Sequence, residues 1–223
     1  MTRQTIFSAL LLVTIFLSCN NSTQQRTIYI PADTTTSFRI ENLWATPKKS
    51  FDFNSLGKSS DDTLHLVTCS QYVYFPFGKL TDKSSLKASL LKDFNVISSK
   101  LDTFTNIFLP SDPSDDFKQW SESLELELGG NKLSLFLDND PEASTHGYIQ
   151  SGQIVDSKVV FSDNIKVGMS VEDFYKRIFD HFPTELSKKY KVVEFESCVA
   201  DVTHIYTFDS GQLSSVEFIP YSD

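Results

Sequence analysis

Residues 124–137 read LELELGGNKLSLFL, and this stretch predicts the fold more clearly than any other part of the chain. Leucines alternate with other residues on both sides of Gly129-Gly130-Asn131, as in two antiparallel strands joined by a tight turn. Near the C-terminus, Asp209-Ser210-Gly211 separates two further runs of this kind. The core is therefore predicted to rest on antiparallel hairpins.

Working outward from this hairpin, one order of elements is predicted twice: a strand, a helix and three antiparallel strands. The first set is a strand 64–77, a helix from Thr81 or Asp82 to Phe94, a strand ending at Leu109, and the hairpin. The second set is strands 148–161 and 165–167, a helix from Ser170, and strands near 191–198, 203–208 and 212–219. The predicted fold is α+β, with antiparallel sheets each packed by a helix in two tandem units, 27–145 and 146–223.

The second unit contains a distinctive segment, NIKVGMSVEDF at residues 164–174. Gly168 permits a tight passage from strand to helix, and the hydroxyl of Ser170 can cap the helix while Asp173 reaches back. The segment and the strands after it resemble repeats of the beta-lactamase-inhibitor-protein-like class and the SmpA/OmlA-type lipoprotein of the β-barrel assembly machinery. The resemblance implies a module that binds other proteins through its sheet or loops and performs no chemistry.

The N-terminus, MTRQTIFSALLLVTIFLSCNN, has the three regions of an export signal. Arg3 precedes a short apolar core, and small residues follow it. A permanent membrane helix needs about 20 apolar residues, more than this core supplies. Residues 1–18 are therefore predicted to be a signal peptide, with residues 19–26 as a flexible tether.

The end of that signal, Phe16-Leu17-Ser18-Cys19, resembles the lipobox of bacterial lipoproteins. The resemblance implies a lipid on Cys19, which would anchor the protein to a membrane. Asn20 stands where an Asp would retain such a protein at the inner membrane, and no acidic run of the kind found in surface-exported Bacteroidetes lipoproteins follows. The expected location is the outer membrane, facing the periplasm.

Composition excludes some partners. The chain has 29 acidic and 20 basic residues and a net charge of −9, which becomes −10 when Arg3 leaves with the signal. An acidic chain is not expected to bind nucleic acid or anionic lipid headgroups.

With Cys19 lipidated, Cys69 and Cys198 remain. They either form a disulfide in an oxidising compartment or stay as two unpaired, buried thiols.

Searches for catalytic patterns find only weak candidates. Ser84-Ser85-Leu86-Lys87 and Ser89-Leu90-Leu91-Lys92 spell S-x-x-K, and Ser162-Asp163-Asn164 spells S-D-N, but no K-T-G follows them. The carboxylates of Asp138-Asn139-Asp140-Pro141-Glu142 alternate as calcium ligands do, although a solvated hairpin exit explains them better. His65, His146, His181 and His204 lack ligand spacing, and His65 and His204 are expected to face solvent. We expect no catalytic residue, cofactor or metal.

Three functions are compatible with these patterns. The first is a membrane-tethered, non-catalytic module that binds an envelope protein or assists envelope assembly through an exposed aromatic patch on the sheet. Its candidate residues are Tyr72, Tyr74, Tyr206 and Phe208, for most of which core packing is the more common role. The second is an envelope hydrolase acting on glycan or peptidoglycan, with paired acids in a cleft. The third is a carrier of lipid or a small ligand, with an enclosed apolar cavity.

Overall fold

A computed structural model describes most of the chain from residue 37 to residue 220. The described residues are 37–40, 42–56, 59–70, 73, 75–78, 83–86, 88, 90, 92–104, 119–140, 146–198 and 202–220. The predicted signal peptide and tether, with Cys19, lie outside these ranges, as do Tyr72, Tyr74, Lys87, Ser89, Pro141 and Glu142. The chain from Thr35 onward forms one compact unit.

The described residues form twelve strands and three short α-helices, so the structure is mostly β. The strands are β1 Phe38–Ile40, β2 Leu43–Pro47, β3 Phe53–Leu56, β4 Thr63–Thr68, β5 Asn95–Phe104, β6 Gln119–Leu128, β7 Asn131–Asp138, β8 Gly147–Ile154, β9 Phe179–His181, β10 Val192–Ser197, β11 Val202–Asp209 and β12 Gln212–Pro220. The helices are α1 Lys83–Leu86, α2 Val171–Ile178 and α3 Thr184–Ser187.

Two sheets organise these strands. The larger has the order β3-β4-β10-β11-β12-β8-β7-β6-β5, and the smaller has the order β1-β2-β9. All pairs are antiparallel except β4 with β10, which is parallel. The smaller sheet was not predicted from the sequence.

The prediction of two tandem units is not confirmed. β8 pairs with β7 of the first predicted unit and with β12 of the second, so the boundary at residues 145 and 146 falls between paired strands. β4, from the first predicted unit, pairs with β10 of the second. Apart from β1, β2 and β9 of the smaller sheet, the described strands of both units therefore share one sheet.

The core is formed by buried residues of the large sheet, the small sheet and the helices. The carboxyl-terminal hairpin turns back at Ser210-Gly211. Buried residues occupy every second position of β11, and in β12 they are Leu213, Val216 and Phe218. Phe174 of α2 meets the rings of Tyr206 and Phe208, with both pairs of ring centroids 5.0 Å apart. These contacts fix α2 on the sheet.

The start of α2 is formed as the sequence predicts. The backbone N–H of Asp173 donates to Ser170 Oγ at 3.1 Å, and Gly168 has the positive φ of +86° that favours glycine. Hydrogen bonds from Gly168 N–H to the carbonyl of Leu213 and from Leu213 N–H to the carbonyl of Met169 join this segment to the last hairpin. The motif therefore fastens the helix to the sheet.

Three predicted strands were wrong in length or kind. β4 ends at Thr68, because Thr68 Oγ1 accepts the N–H of Ser70 at 3.0 Å and the chain turns there. β8 ends at Ile154, and Asp156 Oδ1 accepts the N–H of Lys158 at 2.9 Å in the turn that follows. The predicted strand 165–167 is irregular backbone. Of the helix predicted to end at Phe94, residues Lys83–Leu86 are described as α-helical, and Leu86, Leu90 and Phe94 are buried.

Candidate functional site

The structure joins Cys69 and Cys198 in a disulfide, which was one of the two alternatives for this pair. Their Cα atoms are 5.2 Å apart, and 129 positions separate them in the sequence. Each follows the last residue of its strand, and those last residues, Thr68 of β4 and Ser197 of β10, are register partners. The bond therefore closes the end of the parallel pair.

The aromatic residues proposed for a binding patch belong to the core where the structure describes them. Tyr206 is fully buried and Phe208 nearly so. Both point toward α2, away from the open face of the sheet. Core packing is therefore the role of these two residues.

His204 corrects another expectation. It is buried against the ring of Phe218 at a centroid distance of 4.7 Å, and burial lowers its pKa to about 3. His65, by contrast, lies on the half-buried open face, where its Nε2 meets Glu196 Oε2 at 2.8 Å. His204 is thus a neutral core residue at physiological pH.

The acidic loop after β7 is held by its own hydrogen bonds. Asp138 Oδ1 accepts the N–H of Asp140 at 3.1 Å and lies 3.2 Å from Nδ1 of His146. Asn139 Oδ1 accepts the N–H of Trp120 at 2.7 Å. These side chains border a groove of about 440 Å³ together with Gln119, Ser121 and Phe136. Within the described ranges, no group of three or more His, Cys, Asp or Glu side chains is placed to hold a metal ion.

A second pocket, of about 260 Å³, lies beside α2, β9 and α3. The ring of Tyr175 stacks on that of Phe182 with centroids 4.0 Å apart. The Tyr175 hydroxyl is buried and has no hydrogen-bond partner among the described residues, and its pKa is raised chiefly by burial. Because that hydroxyl is shielded from solvent, the pocket presents ring faces and exposed charged side chains, such as those of Lys176 and Asp180, to a ligand.

The most distinctive exposed feature is β5, the last strand of the large sheet. It pairs with β6 on one side, and no described strand pairs with its other side. Every side chain from residue 95 to residue 103 is exposed. Three of them are large and apolar, namely Val96, Ile97 and Leu101, with exposed fractions of 46%, 58% and 56%. We call this strand the β5 edge.

The sequence predicted a strand at the β5 edge but not its exposure. A signal was present, because Val96, Ile97 and Leu101 do not all fall on one face of a strand. A strand that packs one face on a core normally shows a clean alternation of apolar and polar residues. The ten residues of β5 lack that alternation.

An edge of this length, which no described strand covers, leaves backbone groups that could pair with a further strand. The outer N–H and C=O groups of an edge strand can pair with a further strand, and natural proteins usually block such edges. The β5 edge carries two blocking features, a bulge between Val96 and Ser98 and the charged residue Lys100. The charge of Lys100 is offset by Asp102 on the same face, with Lys100 Nζ 3.0 Å from Asp102 Oδ2.

Comparisons with known proteins give no match, so a function has to be argued from the fold and the β5 edge. No protein-family model, characterised protein or solved structure matches this chain. Among the described residues, no helix is both long enough and apolar enough to span a membrane.

Proposed function

We propose that this protein is a membrane-tethered, non-catalytic lipoprotein that binds protein by adding a strand to the β5 edge. The observation that carries the proposal is the β5 edge itself, ten residues long, unpaired on its outer side by any described strand and exposed at every side chain from 95 to 103. In strand addition, backbone hydrogen bonds supply affinity and alternate side chains supply specificity.

The tether is proposed from the sequence. A signal peptide at residues 1–18 and a lipid on Cys19 would hold the folded part close to a membrane, with residues 19–26 as the spacer. The disulfide between Cys69 and Cys198 supports an oxidising compartment outside the cytoplasm. The outer membrane, on its periplasmic side, is the proposed location.

We also propose that the C-terminal half belongs to the class of modules that its sequence resembles. The support is the order of its elements: the strand β8, the helix α2 and the three-stranded meander β10, β11 and β12. The elements β9 and α3 lie between the helix and the meander. A binding module of that class, tethered near the membrane, fits a role in assembling other envelope proteins.

Site-specific photo-cross-linking tests the proposal. A photoreactive amino acid is placed at Leu101 on the β5 edge or at Val160, a control position of similar exposure (49%) outside every strand. The full chain is expressed in its native host, irradiated, captured, and analysed by mass spectrometry.

We expect the probe at Leu101 to capture one dominant protein, either a second copy of this chain or another protein, and the probe at Val160 to capture none. Cys19→Ala, which removes the tether, is expected to reduce that yield. Equal capture at both positions, or none, would count against strand addition and would shift attention to glycan binding at the groove beside Asp138.

A further inference from the structure

We infer that the β5 edge of one molecule pairs with the β5 edge of a second copy, antiparallel, about a two-fold axis at Leu101. This inference rests on the proposed function and names its partner. Three features of the strand support it: the position of its regular part, its charges, and the other side chains that the pairing brings together.

The regular part of β5 is centred on Leu101. Its register with β6 is interrupted by the bulge between Val96 and Ser98 and then continues without a break from Ser98 to Phe104, the last residue of the strand. These seven residues have Leu101 at their middle. A two-fold axis at Leu101 therefore pairs the whole regular stretch with itself and leaves the bulge outside.

The charges select the same register. Directly opposite residues in an antiparallel pair share a face and a hydrogen-bonding phase, so in self-pairing the two residue numbers add to an even value. A sum of 200 places Lys100 opposite Lys100, and a sum of 204 places Asp102 opposite Asp102. A sum of 202 places Lys100 opposite Asp102 twice, so two attractive pairs replace the one repulsive pair of either neighbouring register.

The remaining pairs in this register are also compatible. Leu101 lies opposite its own copy, so two exposed leucines would cover each other. Ser99 lies opposite Thr103 on the same face, and hydroxyl pairs of this kind hydrogen-bond across strands. No like charges face each other between Ser98 and Phe104.

The proposed tether explains why so short an interface can suffice. Seven paired residues form a small contact, of the size found in weak or transient complexes. Two copies held on one membrane meet at a much higher effective concentration than two copies in solution. Pairing is therefore expected mainly in the membrane-bound protein.

Cysteine cross-linking tests the register. Leu101→Cys is introduced in the full, lipidated chain, and isolated membranes are treated with copper–phenanthroline. Directly opposite Cβ atoms lie about 4.5–5.5 Å apart, close to the reach of a disulfide. Ser99→Cys is the matched control, because its own copy would lie four residues away along the strand, roughly 14 Å. We expect at least about tenfold more covalent dimer from Leu101→Cys.

A second experiment exchanges charged residues in the protein that already carries Leu101→Cys. Lys100→Asp or Asp102→Lys alone is expected to lower the dimer yield about tenfold, since each places like charges opposite each other twice. The double exchange Lys100→Asp/Asp102→Lys restores the opposite-charge pairs and the yield. Circular dichroism of each variant checks that it remains folded.

The outcomes separate this inference from the proposed function. Equal yields from Leu101→Cys and Ser99→Cys, or a double exchange that fails to restore the yield of folded protein, would overturn self-pairing. If the photoreactive probe at Leu101 then captures a different protein, strand addition at the β5 edge stands with another partner. If the probe captures nothing, both fail.

Discussion

At the scale of single residues, His204 shows how a sequence pattern can be misread. Val202, His204, Tyr206 and Phe208 occupy alternate positions of β11, so the period of two places His204 on the same face as two core aromatics. We expected it to face solvent because it alternates with apolar residues along the strand. The structure shows that those on its own face, two positions apart, are the ones that decide its burial.

Burial of His204 predicts a dependence of stability on pH. The pKa is about 3 in the folded protein and 6.5 in the unfolded chain, so between these values the unfolded chain binds the extra proton. Its contribution is complete well above pH 6.5 and is lost as the pH falls toward 3, with a limiting slope of about 1.4 kcal/mol per pH unit. At pH 6.5 the unfolded side chain is already half protonated, so the loss from pH 6.5 to 4.5 is about 2 kcal/mol.

Urea unfolding at these two pH values, for the native chain and for His204→Leu, measures this contribution. Carboxylates titrate in both proteins, so the difference between their pH dependences isolates His204. We expect the variant to lose about 2 kcal/mol less than the native chain. Identical pH dependence in both would show that His204 is not buried as a neutral side chain.

Asn131 is a second residue whose structural role is larger than the sequence predicts. It was predicted as a turn residue, but its side chain is fully buried. Its Oδ1 accepts the N–H groups of Val155 at 2.7 Å and Asp156 at 3.0 Å, and its Nδ2 donates to the carbonyl of Leu128 at 2.8 Å. One side chain thus joins the β6–β7 turn to the end of β8.

Asn131→Ala is expected to lower the free energy of unfolding by about 2 kcal/mol, because three backbone groups lose their partner. Ser134→Ala, on the same strand, is the control, since its hydroxyl makes only a 3.5 Å contact with Gln150. That change should cost less than about 0.5 kcal/mol. Similar losses for the two variants, measured by chemical denaturation, would contradict a bridging role for Asn131.

At the scale of elements, the sequence predicted what local chemistry determines. The β6–β7 hairpin, the capped start of α2 and the β11–β12 hairpin follow from alternation, turn residues and the hydroxyl of Ser170. The ends of β4 and β8 were missed because side-chain hydrogen bonds, such as that of Thr68, turn the chain within apolar runs. The three-residue strand β9 gave no periodic signal.

Gly152 marks a position where the element needs a glycine. It lies in β8 with a φ of +153°, beside the register shift between Ser134 and Leu135 of β7. A Cβ atom there would collide with the carbonyl oxygen of Lys132 and crowd the side chain of Leu133. The close approach of two backbones at this point therefore excludes any side chain.

Gly152→Ala is expected to destabilise the protein by about 3 kcal/mol, because either β7 or β8 must move. Gly129→Ala is the control. That glycine also has a positive φ, of +58°, but a Cβ would meet no atom within 4 Å, so the expected loss is only about 1 kcal/mol. Thermal unfolding of both variants tests the order, and a milder effect at Gly152 would refute the collision.

At the scale of the whole molecule, the order of the strands was beyond sequence reasoning. Alternation shows which side of a strand is buried, but it does not identify the neighbouring strand. β4 pairs with β10, from which more than half of the chain separates it in sequence. The edge position of β5 likewise depends on how the other strands pair, and not on its own sequence. The candidate site at the β5 edge could therefore be recognised only once the sheet was complete.

The disulfide between Cys69 and Cys198 covalently links the two strands of that long-range pair. It closes a loop of roughly 130 residues, and the chain-entropy model assigns such a crosslink about 5 kcal/mol of stabilisation. The double variant Cys69→Ala/Cys198→Ala is expected to lose about this amount, and its urea dependence should steepen because the unfolded chain expands. The native chain in a reducing agent should unfold at the same urea concentration as the variant. A loss below about 1 kcal/mol would mean that β4 and β10 stay together in the unfolded chain without the bond, or that the pair contributes little to the native sheet.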